Sequence, residues 1–242
     1  MLLQTTQQWF EELGDTLDRL QGETEQSGIT VAATTYVAAR WLSAHVSAFN
    51  DSYPRVAVLL QHSVNSADFK LTDVDLAIRW GPCTGRHTRD RFGEMPMSLY
   101  PVISPQLLQK QGYSIHKTGT QIPATELTHG PLATLPLLSE DRHQDLWQEW
   151  HDSACGEDKQ QHLPNPRRTI ADSNVRVQAA IDGQGLILAD QLMINELNSG
   201  QLLAPFAETL DGYGYALLCS PNRILNDNAQ SLKNWLCTRS GL

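Results

Sequence analysis

Residues 29–36 read ITVAATTY, and residues 169–174 read TIADSN. In each a short apolar run ends in hydroxyl- or amide-bearing residues: Thr34-Thr35-Tyr36 in the first, Asp172-Ser173-Asn174 in the second. Apolar residues followed by cap-forming residues mark a strand handing over to a helix. Such a junction exposes unpaired backbone N–H groups and the positive end of a helix dipole. Two junctions facing one cleft would hold a small anionic molecule.

Working outward from the first junction, the chain alternates strand and helix. Ile29–Ala33 reads as a strand and Thr35–Asn50 as a helix. The helix carries an apolar stripe at Val37, Trp41, Leu42, Val46 and Phe49, and Tyr53-Pro54 closes it. Val56, Val58 and Leu60 alternate in a second strand, Asn65–Leu71 reads as a short helix, and Val74–Arg79 is a third strand ending at Trp80-Gly81-Pro82. This order predicts a parallel α/β sheet with right-handed crossovers.

Beyond it, Ser98–Ser104 reads as a strand and Pro105 opens a short helix. Residues 112–131 are polar and irregular, and Leu132–Leu135 is a candidate strand. Asp145–Ser153 is a helix. Around the second junction, Arg168–Ala171, Val175–Ile181 and Leu186–Ala189 read strand, helix, strand, with Gly183 and Gly185 in the turn. Gln191–Ser199 is helical with Gly200 as its C-cap. Tyr213–Ser220 is a late strand and Gln230–Cys237 a final helix. Ahead of all this, Leu3, Thr6, Phe10, Leu13, Leu17 and Leu20 fall at alternating three- and four-residue steps. That is the seam of a helix, either packed on its own domain or pairing two subunits. A polar linker, GETEQSG (residues 22–28), follows it.

Composition narrows the function. Acidic residues number 27 against 18 basic, a net charge of −9. The densest basic run, Arg86-His87-Thr88-Arg89-Asp90-Arg91, reads as a surface loop. A grip on nucleic acid by this segment is therefore disfavoured, because phosphate contacts need clustered cations. Cys83, Cys155, Cys219 and Cys237 form no C-x-x-C pair, which removes the usual zinc and redox spacing. With neither a signal peptide nor an apolar run of about 18 residues, the expectation is a reducing, cytoplasmic setting without a membrane span. No P-loop, G-x-S-x-G or H-E-x-x-H pattern appears, and His143 and His151 lack a third ligand nearby in sequence. Neither a catalytic constellation nor a metal or cofactor is expected.

The series of segments resembles the effector-binding part of LysR-type transcriptional regulators. The matching residues are Arg40-Trp41-Leu42, FNDSYP (49–54), DVDLAIRWG (73–81), Asp172-Ser173 and AAIDGQGL (179–186). The DVDLAIRWG stretch is similar to the branch containing glycine-cleavage activators. The resemblance implies a periplasmic-binding-protein type 2 fold: two α/β subdomains joined by two crossover strands with a ligand cleft between. It divides the chain into a linker helix (1–24), subdomain I (25–101 and 214–242) and subdomain II (102–213). It further implies a small polar or anionic effector and a homodimer or homotetramer. DNA contact would come only through an N-terminal winged helix-turn-helix, which these 242 residues are expected not to include. The expectation is either a fragment of a longer regulator or a stand-alone effector domain.

Ten residues are candidates for ligand contact. Thr34 and Thr35 either cap the first helix or donate to a ligand, and Tyr36 either overlies the cleft or packs inward. Ser63 follows the second strand, where ligands of open α/β sheets gather, and is otherwise an ordinary turn serine. Arg79 either pairs with a carboxylate ligand or forms an ion pair with Asp73 or Asp75, and Trp80 could wall an apolar ligand part. Val102 and Ser104 lie on the first crossing, and Ser173 and Asn174 on the second helix start. Arg176 is on that helix's first turn, on a side that could face solvent. Two other readings share the fold: a solute-binding protein for transport, and an enzyme such as a dehydratase or a tetrapyrrole-forming deaminase.

Overall fold

The computed structural model describes residues 28–65, 68–83, 85, 90–115, 121–140, 145–155, 162–220 and 223–239. The N-terminal heptad seam, most of the basic run and His143 lie outside the described residues. Eight strands form one sheet in the order β2-β1-β3-β8-β4-β7-β5-β6.

The first half is built from β1 (Ile29–Thr34), β2 (Val58–Ser63) and β3 (Leu76–Pro82), with β1 parallel to both neighbours. Between β1 and β2 runs α1, a continuous helix of three pieces: Thr35–Val37, a π-helical turn Ala38–Leu42, and Ser43–Ser52. Its stripe Val37, Trp41, Leu42, Val46 and Phe49 is buried, as the 3.6-residue period requires.

The second half repeats the scheme. Its strands are β5 (Leu137–Ser139), β6 (Arg167–Thr169) and β7 (Leu186–Ala189), with β5 parallel to both neighbours. Among the described residues the further α-helices are α2 (Pro105–Lys110), α3 (Leu146–Cys155), α4 (Ser173–Ile181), α5 (Ile194–Asn198) and α6 (Asp227–Arg239). Gly183 (φ +77°) and Gly200 (φ +73°) provide the left-handed turns after α4 and α5.

Two long strands stitch the halves together. β4 (Arg91–Val102) and β8 (Leu210–Leu218) run antiparallel to each other, β8 also pairing with β3 and β4 with β7. One core gathers Val37, Trp41, Leu76, Leu217 and Leu232 and continues into the second half through Val177, Ile187 and Met193. A second core holds Leu108, Leu127, Leu137, Trp150 and Phe206.

Two segments differ from the reading of the sequence. β4 starts at Arg91 rather than Ser98, since Gly93 and Pro96 interrupt its apolar pattern. Pro96 is tolerated because this part of β4 pairs with β8, whereas β7 joins only at Tyr100–Val102. Pro131–Thr134 is a 3₁₀ turn, not a strand. The Asn165 amide donates to the carbonyls of Leu132 (2.8 Å) and Leu135 (3.0 Å), occupying acceptors a ladder would use. The short helix expected at Asn65–Leu71 lies partly outside the described residues; within them Asp68 is 3₁₀-helical and Phe69 is buried.

Gly81 and Gly214 lie opposite each other in the β3–β8 ladder but meet different surroundings. A Cβ on Gly214 would sit 2.3 Å from the Met95 carbonyl oxygen and 2.9 Å from Pro96 Cα, whereas one on Gly81 meets nothing within 4 Å. Urea denaturation should show Gly214→Ala destabilised by about 1–3 kcal/mol. Gly81→Ala should stay within about 0.5 kcal/mol of the parent. Equal effects would mean the crossover strands are not this closely apposed.

Candidate functional site

The two junctions face each other. Asp172 caps α4, its carboxylate accepting from the backbone N–H of Asn174 (2.8 Å) and Val175 (3.1 Å). Its other oxygen accepts from Thr35 Oγ1 at 3.4 Å, across the two halves. Thr34 occupies the N-cap position of α1 without a side-chain cap bond and lines the cleft.

A second seam lies below. The Tyr36 hydroxyl donates to Asp190 Oδ1 (2.8 Å) and the Tyr215 hydroxyl to Oδ2 (2.9 Å). The Leu192 N–H adds a bond to Oδ1 at 2.9 Å. Burial still outweighs these bonds and holds the Asp190 carboxyl above its ordinary range. Burial, with Asp190 beside them, also raises the phenols of Tyr36 and Tyr215. Beside this seam, Arg40 grips Glu196 with both terminal nitrogens (2.7 and 2.9 Å), donates to the Leu192 carbonyl (3.3 Å) and lies over the Tyr36 ring.

Between the seams is a cleft of about 300 Å³. That is small for a ligand pocket, enough for a metabolite of modest size. Trp80, Leu99, Trp147, Leu188 and Met193 give it apolar walls. Trp80 is set edge-on to Tyr215 with ring centroids 4.9 Å apart. Ser139, Glu140, Ser173 and Arg176 form a polar end. Arg176 is turned inward, its side chain 14% exposed. It donates to the carbonyls of Ile170 and Ala171 and to Ser173 Oγ (2.8 Å), and it faces Glu140 Oε2 at 3.5 Å.

Of the ten candidates, Thr34, Tyr36, Trp80 and Ser173 line the cleft, and Thr35 bridges its rim. The other five lie elsewhere. Arg79 cannot share the cleft with Trp80, because adjacent strand residues point to opposite faces. Its guanidinium donates to the Phe69 carbonyl (2.9 Å) and lies over the Phe69 ring. The Asp75 partner is instead Arg223, at 2.8 Å. Ser63 donates to the Asp68 carboxylate, while Val64 and Asn65 beyond it reach the cleft. Val102 is fully buried in the core, and Ser104 caps α2 from a buried position. Asn174 contributes its backbone N–H to the Asp172 cap.

Glu140, Trp147, Arg176, Asp190 and Tyr215 went unread as site residues in the sequence. Arg176 had a legible signal, lying one turn past Ser173. Asp190 had none, since its phenol partners are 154 and 25 residues away.

Comparison with known proteins now bears on this arrangement. A family model described as the LysR substrate binding domain matches residues 22–240. The chain belongs to this family. The glycine cleavage system transcriptional activator of Escherichia coli K12 is 26% identical over 236 residues, covering 96% of this chain and 71% of that protein. The AmpR effector domain of Pseudomonas aeruginosa superposes with a TM-score of 0.69 at 22% identity, covering 89% of this chain and 95% of that one. The CrgA regulatory domain of Neisseria meningitidis gives 0.65 at 16% identity over 88% and 98% of the two chains. The fold of this LysR domain is thus the type 2 periplasmic-binding-protein arrangement, and its relatives are transcriptional regulators rather than enzymes. Among the described residues no helix is long and apolar enough to cross a membrane.

Asp190 gives this LysR domain a specific pH signature. A carboxyl whose pKa is raised on folding binds more protons in the native state. Its contribution is therefore greatest below the unfolded value, about 3.9, and is lost as pH rises through the folded value. An amide does not titrate. The stability advantage of the parent over Asp190→Asn should shrink across that window, in denaturation curves recorded at several pH values. An advantage that grows with pH would show that the fold favours the carboxylate.

Proposed function

We propose that this domain is the effector-sensing and oligomerisation region of a LysR-type DNA-binding regulator. A small polar or anionic metabolite occupies the cleft and is coupled to transcription. The observation that carries the reading is Arg176, a largely buried cation beside Ser173 at the polar end of a cleft walled by both halves. A buried guanidinium is an expensive group to keep, and a ligand anion recovers part of its desolvation cost.

Residues 25–101 with 214–242 act as one subdomain and 102–213 as the other. The effector binds their alternative relative arrangements with unequal affinity, since equal affinity would shift nothing. The arrangement is read out through contacts between copies in a homodimer or homotetramer. Subdomains of opposite type meet in an antiparallel dimer, aided by the heptad helix of residues 1–24. Contact with DNA falls to a winged helix-turn-helix of the family type, because a net charge of −9 suits this domain poorly to phosphate. The name of the Escherichia coli relative makes glycine an early compound to try.

The test is a panel of small carboxylates and amino acids, glycine included, screened by thermal shift. Binders are then titrated calorimetrically against the parent, Arg176→Gln, and the double variant Thr35→Ala with Ser173→Ala. Affinity should drop at least about tenfold in Arg176→Gln, the worth of a hydrogen bond to a charged group. It should also fall in the double variant. Unchanged affinity in both would place the effector elsewhere.

A further inference from the structure

The polar end of the cleft carries two opposite charges, not one. Arg176 stands on α4 and Glu140 directly follows β5. Their separation of 3.5 Å is long for a charge-assisted bond. The two groups differ in surroundings: Arg176 is 14% exposed and tied to carbonyls and Ser173, while Glu140 is 56% exposed. The pair is thus a largely buried cation with a more exposed anion beside it, both bordering the same cavity.

This pairing constrains what can enter. A simple carboxylate bound at Arg176 would leave Glu140 next to a like charge. A simple ammonium bound at Glu140 would compete with the guanidinium. A molecule bearing both charges on one carbon replaces each half of the ion pair with an equivalent partner and strands neither group. Asp190 does not offer a rival cation site, because both its oxygens are engaged by Tyr36, Tyr215 and the Leu192 N–H. The rest of the cleft is apolar, with Trp80, Trp147, Leu99, Leu188 and Met193 on its walls. A ligand that placed only a charged head there would leave those walls wet.

From this juxtaposition we infer that the ligand of the cleft is an α-amino acid with an apolar side chain. Its carboxylate lies on Arg176 and Ser173, its ammonium on Glu140, and its side chain among the tryptophans and leucines. The inference rests on the reading of the cleft as the effector site and narrows that reading to one chemical class.

Four amino acids and their des-amino counterparts decide it: L-alanine, L-leucine, L-phenylalanine and L-tryptophan against propanoate, 4-methylpentanoate, 3-phenylpropanoate and 3-(indol-3-yl)propanoate. Each is titrated calorimetrically into the full chain. At least one amino acid should bind about fivefold or more tighter than its des-amino partner, the upper range for a partly exposed charge pair. Glu140→Gln, a change at an exposed side chain that leaves the fold intact, should erase that preference while retaining binding. Arg176→Gln should weaken both members of the pair at least about tenfold. Acids that bind as well as the amino acids, a preference that survives Glu140→Gln, or failure of all four amino acids to bind would each overturn the inference. If the acids alone bind and lose affinity in Arg176→Gln, the effector-site reading stands without it. If a bound compound ignores Arg176→Gln and Ser173→Ala alike, the effector-site reading itself falls.

Discussion

The carboxyl of Asp190, shared between the phenols of Tyr36 and Tyr215, is the constraint on which the remainder of the molecule leans. Tyr36 belongs to the helix after β1, Asp190 to the end of β7, and Tyr215 to the crossing strand β8. One small buried group thus ties both halves to the ribbon that joins them. Burying an acidic group is costly unless its oxygens are satisfied, and here hydroxyl and amide donors meet both. The ion pair of Arg40 and Glu196 reinforces the connection from the side. Any change in the angle between the halves would have to break or reshape these contacts.

The cleft follows from the sheet. Parallel strands in both halves end towards the same crevice, so their strand-to-helix junctions deliver Thr34 from one side and Ser139, Glu140 and Ser173 from the other. The crossing strands supply Leu99 and Tyr215 from beneath. No single stretch of chain builds the site. Its chemistry comes from separated side chains that only the mixed sheet brings together.

That geometry explains what a reading of the sequence could reach. The buried stripe of α1 was legible, because a helix writes its period into local spacing. The junctions at Thr34 and Ser173 were legible, because capping residues follow apolar runs. The choice between Arg79 and Trp80 was open to the sequence, since either parity of β3 was compatible with its apolar run, and packing on Phe69 decided it. The first part of β4 was hidden by Gly93 and Pro96, residues that ordinarily end strands. The bond of Tyr36 to Asp190 was out of reach altogether, since neither residue signals its partner across 154 positions.

The interlacing of the halves has a consequence for the order in which the chain is made. β3 finds its second neighbour only in β8, and the first core is completed by Tyr215, Leu217, Leu232 and Leu236. A ribosome delivers those residues after the whole of the second half. The segment synthesised first is therefore the last to close its core, waiting with the β3 edge and the apolar face of α1 uncovered while residues 102–209 emerge. Such an edge is an invitation to wrong pairing during synthesis. Protein quality control in the producing cell thus meets this domain at its most vulnerable before β8 has left the ribosome, not after release.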